Sequence, residues 1–254
     1  MNSEDLFKES IGGSGYTNFY NYMKTCDIAN FKQNENLNYM TEHLGDRQAI
    51  FGKLWLNEIY NLNMISKEEV FELVNINDQY GNPQKYQIDE YFCSPNTLKY
   101  IYFGLLNIKT ILQKNIENFN FIEIGGGYGG QCLILQSLFK KFNISVENYV
   151  LIDLDDVVKF QKKYINNHHS NNNCVFLSCF EYLEYNFSGN NFLFSSYSLS
   201  ELSHGVRNEY YKNLLPSIQN GFIVWNNHVF DFPIECDILQ EIPLTSGANK
   251  FVYF

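Results

Sequence analysis

Clustered positive charge is missing from this 254-residue chain. Lys and Arg number 18 against 28 Asp and Glu, for a formal net charge of −10, and no Lys/Arg cluster occurs. A surface that tracks a phosphate backbone needs such clusters, so nucleic acid is not an expected partner. Long apolar runs are missing as well: none reaches the roughly 18 residues of a membrane-spanning helix. The start, Met1-Asn-Ser-Glu-Asp-Leu, lacks the basic and apolar regions of a secretory leader. Neither does any C-x-x-C occur among Cys26, Cys93, Cys132, Cys174, Cys179 and Cys236. They read as small reduced hydrophobes. Together these absences predict a soluble, cytoplasmic protein that engages no membrane.

What is present is enough apolar material for one large domain or two small ones, 45% hydrophobic and 17% aromatic. The chain is organised around Asn120-Phe-Ile-Glu-Ile-Gly-Gly-Gly-Tyr-Gly-Gly130. Apolar residues alternate as in a strand, then Gly125, Gly126, Gly127, Gly129 and Gly130 follow within six positions. Gln131 to Lys140 reads as an amphipathic helix. Strand, glycine turn and helix bring backbone close to a nucleotide-like ligand, where a Cβ would intrude.

Ahead of this stretch the pattern is helical. Gly12-Gly-Ser-Gly15 has no preceding strand and no following Lys, so it reads as a flexible lead-in rather than a phosphate loop. Residues 16–36 suggest a short helix and a loop. Ile50, Phe51, Leu54, Trp55 and Ile59 form a helical stripe. Ser66 and Glu69 make a capping box that starts a short helix through Val74. Asn75 to Pro83 is a dense turn cluster. Ser94-Pro95 starts another helix, followed by a further helical segment over residues 109–118. After Gly130 strands and helices alternate. Strands are predicted over 148–153, 174–179, 191–196 and 221–226, helices over 155–166 and 206–219, and a closing hairpin over 237–254. The predicted organisation is a mainly helical cap over 1–119 and an α/β domain over 120–254.

The glycine turn fits two patterns. Gly125-x-Gly127-x-x-Gly130 is the dinucleotide fingerprint, a weak signal alone. Glu123-x-Gly125-x-Gly127-x-Gly129 fits the first motif of class I methyltransferases. An acid inside the strand would be buried without a cation in a dinucleotide fold, whereas the methionyl ammonium of S-adenosylmethionine gives Glu123 a purpose. The final hairpin also suits the methyltransferase sheet. Asp153, ending the second strand, would accept both ribose hydroxyls under either pattern.

The segment Phe121 to Gln131 resembles the sugar O-methyltransferase family, in which Glu-Ile-Gly-Gly-Gly-Tyr-Gly-Gly is a hallmark. Asn77-Asp78 with Gly81-Asn82-Pro83, Ser94 to Tyr100, Tyr149 to Leu154, and Ser195 to Glu201 agree with it, so the likeness spans residues 75–254 or so. Asp155 departs from it, standing where that family has proline. The resemblance implies a Rossmann-like class I fold, with seven mostly parallel strands and an antiparallel C-terminal hairpin. It also implies S-adenosylmethionine as cofactor and a sugar or glycan hydroxyl as acceptor.

The residues expected at the cofactor are Glu123, Gly125, Gly127, Tyr128, Gly129, Asp153, Leu154, Ser178, Cys179, Phe180 and Ser196. A sugar hydroxyl needs a base or a metal to become nucleophilic. The candidate bases after the fourth and fifth strands are His228 and Glu201, then His204. Tyr80, Asn82, Tyr91, Asn96, Tyr100 and Tyr197 are the expected acceptor wall, since aromatic faces suit sugar rings and amides suit hydroxyls. No tight carboxylate cluster such as D-x-D lies at the fourth strand, and Asp153 is assigned to ribose, so metal-independent chemistry is predicted; Asp155 and Asp156 fit a helix N-terminus. His168 and His169 are expected to be solvated. A homodimer is an allowed assembly. Competing readings are a methyltransferase for another small-molecule acceptor, an NAD(P)-binding oxidoreductase, and an inert cofactor-binding module. The oxidoreductase lacks an obvious catalytic Tyr-x-x-x-Lys, since Tyr211-Lys212 has the wrong spacing.

Overall fold

A computed structural model describes residues 14–35, 37, 47–168 and 173–254, with side chains from residue 17. His169 and the lead-in up to residue 13 lie outside the described residues; Ser14 and Gly15 already belong to a helix. The helical part comprises α1 (Ser14–Met23), α2 (Gln48–Leu62), α3 (Lys67–Asp78) and α4 (Pro95–Gln113), with a two-stranded hairpin, β1 (Tyr86–Ile88) and β2 (Tyr91–Cys93), before α4. The α/β part comprises β3 (Phe119–Ile124), α5 (Gly130–Lys141), β4 (Val146–Asp153), α6 (Asp155–Asn167), β5 (Cys174–Ser178) and β6 (Asn190–Ser196). It continues with α7 (Ser198–Glu201), α8 (His204–Asn213), β7 (Asn220–Trp225), β8 (Asp237–Gln240) and β9 (Lys250–Tyr253).

The seven strands follow the order β5-β4-β3-β6-β7-β9-β8. The first five are parallel, while β9 pairs antiparallel to both β7 and β8. The chain steps outward from β3 to β5, returns, and continues from β6 on the other side. The crevice between β3 and β6 is therefore the topological switch point, where open α/β sheets take their ligands. This is the Rossmann-like class I sheet with its closing antiparallel pair.

Alternation along the strands sorts the core into two layers. Phe121, Tyr149, Leu151, Phe192 and Phe194 face one layer, shared with α4, α5, α6 and the helical part. Ile122, Ile124, Val150, Ile152, Leu193 and Ile223 face the other, with α8. Phe121 and Phe192 stack at 5.4 Å across β3 and β6. The first layer runs without a break from α1 and α2 to the sheet, so the helices before residue 119 share the core of the strands after it.

Local sequence signals explain most helix starts. Ser66 and Glu69 form the reciprocal capping box in full. Helix α3 does not stop at Val74; it runs to Asp78, because Val70, Leu73, Val74 and Asn77 continue one buried face. The tight turn then falls at Gly81 and Asn82, both at positive φ. The apolar stripe of α2 is also rotated from its sequence reading. Ile50 and Leu54 are exposed, and Phe51, Gly52, Trp55, Leu56 and Ile59 face inward. Helix α4 runs unbroken to Gln113, and the proline at 216 ends α8 early and leaves one 3₁₀ turn.

The start of α4 is capped from a distance. Asp78 accepts from the Ser94 amide at 2.8 Å and the Thr97 hydroxyl at 2.6 Å. Beside it, Asn77 donates to Thr97 at 2.7 Å and to the Tyr128 hydroxyl at 3.2 Å. The ammonium of buried Lys32 meets the Asn77 carbonyl, and stands over the Tyr128 ring at 4.8 Å. One pair of adjacent side chains thus ties α3 to α4 and to the residue inside the glycine turn. Replacing Asp78 by Ala leaves two buried donors unpaired. We expect a loss of about 3 kcal/mol in urea-induced unfolding, against less than about 0.5 kcal/mol for a surface control such as Glu72→Ala.

Candidate functional site

The glycine turn lies at the switch point, directly beyond β3. Gly125, Gly127 and Gly129 have φ of 75°, 55° and 94°, values that side-chain-bearing residues rarely adopt. Space forbids side chains there as well. A Cβ on Gly125 would collide with the Ser198 side chain from the segment after β6, and one on Gly126 would stand 3.0 Å from Leu151 and 3.3 Å from the Glu123 carboxyl carbon. The turn is held to its neighbours by the Gly125 amide donating to the Ile152 carbonyl, at 2.9 Å.

Two carboxyl groups lie under this turn. Glu123 is 2% exposed and accepts from the Tyr149 hydroxyl at 2.7 Å. Burial pushes its pKa up to about 7, with the tyrosine bond opposing and Asp153 adding to the rise. The half-buried Asp153 accepts from the Leu154 amide at 2.8 Å and from Gln161 Nε2 at 2.9 Å. The Gly127 and Gly126 backbone also favours its ionised form. Desolvation still dominates and lifts Asp153 to about 7. The same Gln161 nitrogen reaches the Gly127 carbonyl at 2.9 Å, and Gln161 Oε1 is buried without a partner.

The remaining residues expected at the cofactor divide. Leu154 follows β4 beside Asp153, and Cys179 follows β5, its amide donating to the Asp153 carbonyl at 2.8 Å. Burial raises the Cys179 thiol to about 12. Ser178 and Glu181 bond reciprocally and open the 3₁₀ turn after Phe180. Ser196 ends β6. Tyr128 is different: its ring is buried among Phe31, Tyr100 and Tyr164, so its side chain braces the turn from inside the helical part.

The candidate bases are not brought together. Glu201, at the end of α7, accepts from Asn226 Nδ2 at 2.6 Å, and the Asn226 amide donates to Ser200 Oγ at 2.9 Å. The segments after β6 and β7 are thereby joined. His228 is half-buried two residues further on. His204 is 74% exposed at the start of α8, with Asn208 at 3.0 Å and Asp231 at 3.9 Å. Asp231 is instead the partner of buried Arg207, at 2.5 Å. His168 is not simply solvated: its ring packs edge-on against Tyr80 and Tyr164, both at 4.8 Å.

The expected acceptor wall is likewise scattered. Tyr80 lies against His168, and Asn82 donates to Asn30 at 3.1 Å. Tyr91 commits its hydroxyl to Tyr60 and the Lys67 carbonyl. Tyr197, at φ 65°, donates to Glu241 in the loop after β8. Tyr100 and Asn96 stand on the first turns of α4. The Tyr100 carbonyl accepts from Gln131 at the start of α5, at 3.0 Å, which puts this end of α4 beside the glycine turn. Asn96 is 3% exposed, and neither its amide oxygen nor its nitrogen has a partner. Among the described residues, no three His, Cys, Asp or Glu side chains gather as a metal-ligand group, and no helix is long and apolar enough to cross a membrane.

Gln161, Ser198 and Asn226 had no place among the expected site residues. Gln161 had a signal: with Val157, Phe160 and Tyr164 it occupies the inward stripe of α6, where an amide needs a reason. Ser198 and Asn226 became visible only when the sheet brought the ends of β6 and β7 together.

No family model and no curated protein matches the chain. Several solved structures are similar. A mutant of MtNAS in complex with S-adenosylmethionine is 13% identical, with 95% of this chain and 91% of that one covered and a TM-score of 0.41. The mitomycin 7-O-methyltransferase MmcR is 11% identical over 63% of this chain and 56% of its own, with a TM-score of 0.40. An O-methyltransferase family protein from Burkholderia thailandensis is 11% identical over 62% and 59%, also with a TM-score of 0.40. The chain thus spans little more than half the length of the last two. It is the strand order, not these scores, that carries the fold.

The buried acids make stability depend on pH. Glu123 has a folded pKa above its ordinary value of 4.5, so the folded state binds more protons than the unfolded one between about 4.5 and 7. Stability is then greatest below that window and declines as pH rises through it. Asp153 acts in the same direction. Urea midpoints measured from pH 4.5 to 8 should show this decline, and Glu123→Gln should flatten part of it.

Proposed function

We propose that this protein is an S-adenosylmethionine-dependent O-methyltransferase acting on a hydroxyl of a sugar, either a glycan or a nucleotide-sugar. One observation carries the cofactor assignment. A glycine-rich turn whose one side chain, Tyr128, packs into the helical part lies at the switch point of a class I sheet, with the Glu123 and Asp153 carboxyls beneath it. A Cβ on Gly126 would crowd Leu151, Gln161 and Glu123, so backbone rather than a side chain is available there to a ligand. The sugar acceptor is supported by the likeness of Phe121–Gln131 and its companion stretches to the sugar O-methyltransferase family.

When bound, S-adenosylmethionine supplies an electrophilic methyl group on a sulfonium. In this reading Asp153 receives the ribose hydroxyls, Glu123 sets a negative field below the methionyl end, and Gly125, Gly127 and Gly129 present backbone. Leu154, Ser178, Cys179 and Phe180, after β4 and β5, border the base. Ser196 lies at the end of β6.

The acceptor hydroxyl requires a proton acceptor. Glu201 is the leading choice because Asn226 orients its carboxyl, leaving His228 as the next candidate and His204 the last. Asn96 and Tyr100 would meet acceptor hydroxyls at the start of α4. A buried amide with both atoms unpaired is destabilising by about 1–3 kcal/mol, and sugar hydroxyls would satisfy it.

Calorimetry should give heat with S-adenosylhomocysteine and none with NADH; heat with NADH alone overturns the reading. A methyl-transfer screen against nucleotide-sugars and small glycans, read by mass shift, tests the acceptor. With an acceptor in hand, Glu201→Gln should lower kcat by about 10²–10⁴-fold. Asn96→Leu should raise the acceptor KM while moving the urea midpoint upward, because the unpaired amide is removed. Full turnover in Glu201→Gln removes it as the base, and an unchanged KM in Asn96→Leu removes the amide from the acceptor site.

A further inference from the structure

The Asp153 carboxylate has roughly four acceptor positions, and two hydrogen bonds reach it, from the Leu154 amide and from Gln161 Nε2. A ribose diol would take the positions that remain. Leu154 is the next residue in the chain. Gln161 alone comes from elsewhere, the middle of α6, and its nitrogen bonds at once to Asp153 Oδ2 and to the Gly127 carbonyl, both at 2.9 Å. Its side chain is fully buried, and Oε1 has no partner. A Cβ on Gly126 would stand 3.3 Å from that same nitrogen.

We propose that Gln161 is the positioning residue of this site, a strut that keeps the Asp153 carboxylate and the glycine turn in register while ribose hydroxyls take the remaining acceptor positions. It touches no reacting atom; it acts through Asp153. The proposal rests on the reading of Asp153 as the ribose acceptor. An apolar side chain of equal size would fill the space and satisfy α6 packing better, since it would leave no unpaired oxygen. The amide at this position is explained by what it holds.

The charged and titratable surroundings of Asp153 define the pH readout. Glu123 on β3 is coupled to it, Cys179 after β5 and Tyr210 on α8 feel its charge, and Asp155 opens α6 beside it. Burial keeps Cys179 and Tyr210 neutral near pH 7. The profile therefore belongs to the Glu123–Asp153 pair, and the contribution of Gln161 is the difference between variant and wild type. Its N–H favours ionised Asp153, so removing it moves the midpoint upward.

The test is calorimetric titration with S-adenosylhomocysteine from pH 5.5 to 8.5. We expect Gln161→Leu to weaken binding about tenfold, the worth of one hydrogen bond to a charged group, and to shift the pH midpoint up. In an Asp153→Ala background the same substitution should change nothing further. Gln161→Glu, nearly isosteric, should lose affinity as pH rises through 7, where the wild type gains it. Asp153-dependent binding that Gln161→Leu leaves unchanged, or weakens equally in both backgrounds, overturns the proposal alone. Absence of binding by the wild type, or unchanged binding by Asp153→Ala, overturns the cofactor reading and the proposal with it.

Discussion

Two adjacent side chains at the end of α3 hold the two halves of the molecule in register. Asp78 completes the start of α4, and Asn77 reaches Thr97 and the hydroxyl of Tyr128 in the glycine turn. A loop of glycines has no side chains with which to fix itself. Here the fixing is done by the single tyrosine within it, whose ring is packed against Phe31, Tyr100 and Tyr164. Buried Lys32 adds a cation among the same rings. The cost of confining a flexible turn is thus offset by aromatic packing in a different layer.

Under the turn the electrostatic problem is of another kind. The charge of Asp153 raises Glu123, and both are desolvated. The structure answers with neutral dipoles rather than cations: the hydroxyl of Tyr149, the amide of Gln161 and the Leu154 N–H. Such a pair suits a ligand that brings its own positive charge and its own hydroxyl donors.

Much of the fold was legible in the sequence. The strand–glycine–helix unit, the alternating strands after it, the closing antiparallel pair and the capping box at Ser66 all follow from local pattern. Where the reading failed, packing had overruled local preference. Asn75 and Asn77 looked like turn formers, yet Val70, Leu73 and Val74 carry the helix past them, and Asn77 is the buried hub. The hydroxyls of Tyr91 and Tyr197 meet the Lys67 carbonyl and Glu241, contacts that no local pattern announces. The position of Glu201 against Asn226 was equally hidden, because it depends on the pairing of β6 with β7.

The anchor of Tyr197 has a consequence for the order in which the molecule assembles. Its partner Glu241 follows β8, and β8 reaches the sheet only through β9, which pairs with β7 on one side and β8 on the other. Glu241 is further held by Thr245 and Asn249 in the connection to β9. The segment 250–253 must therefore dock before Glu241 has a fixed place. The backbone after β6, held at a positive φ by that distant bond, would be among the last parts to settle, since contacts so far apart in sequence form late. A chain stalled before that step could already have its glycine turn built and yet lack a settled segment after β6.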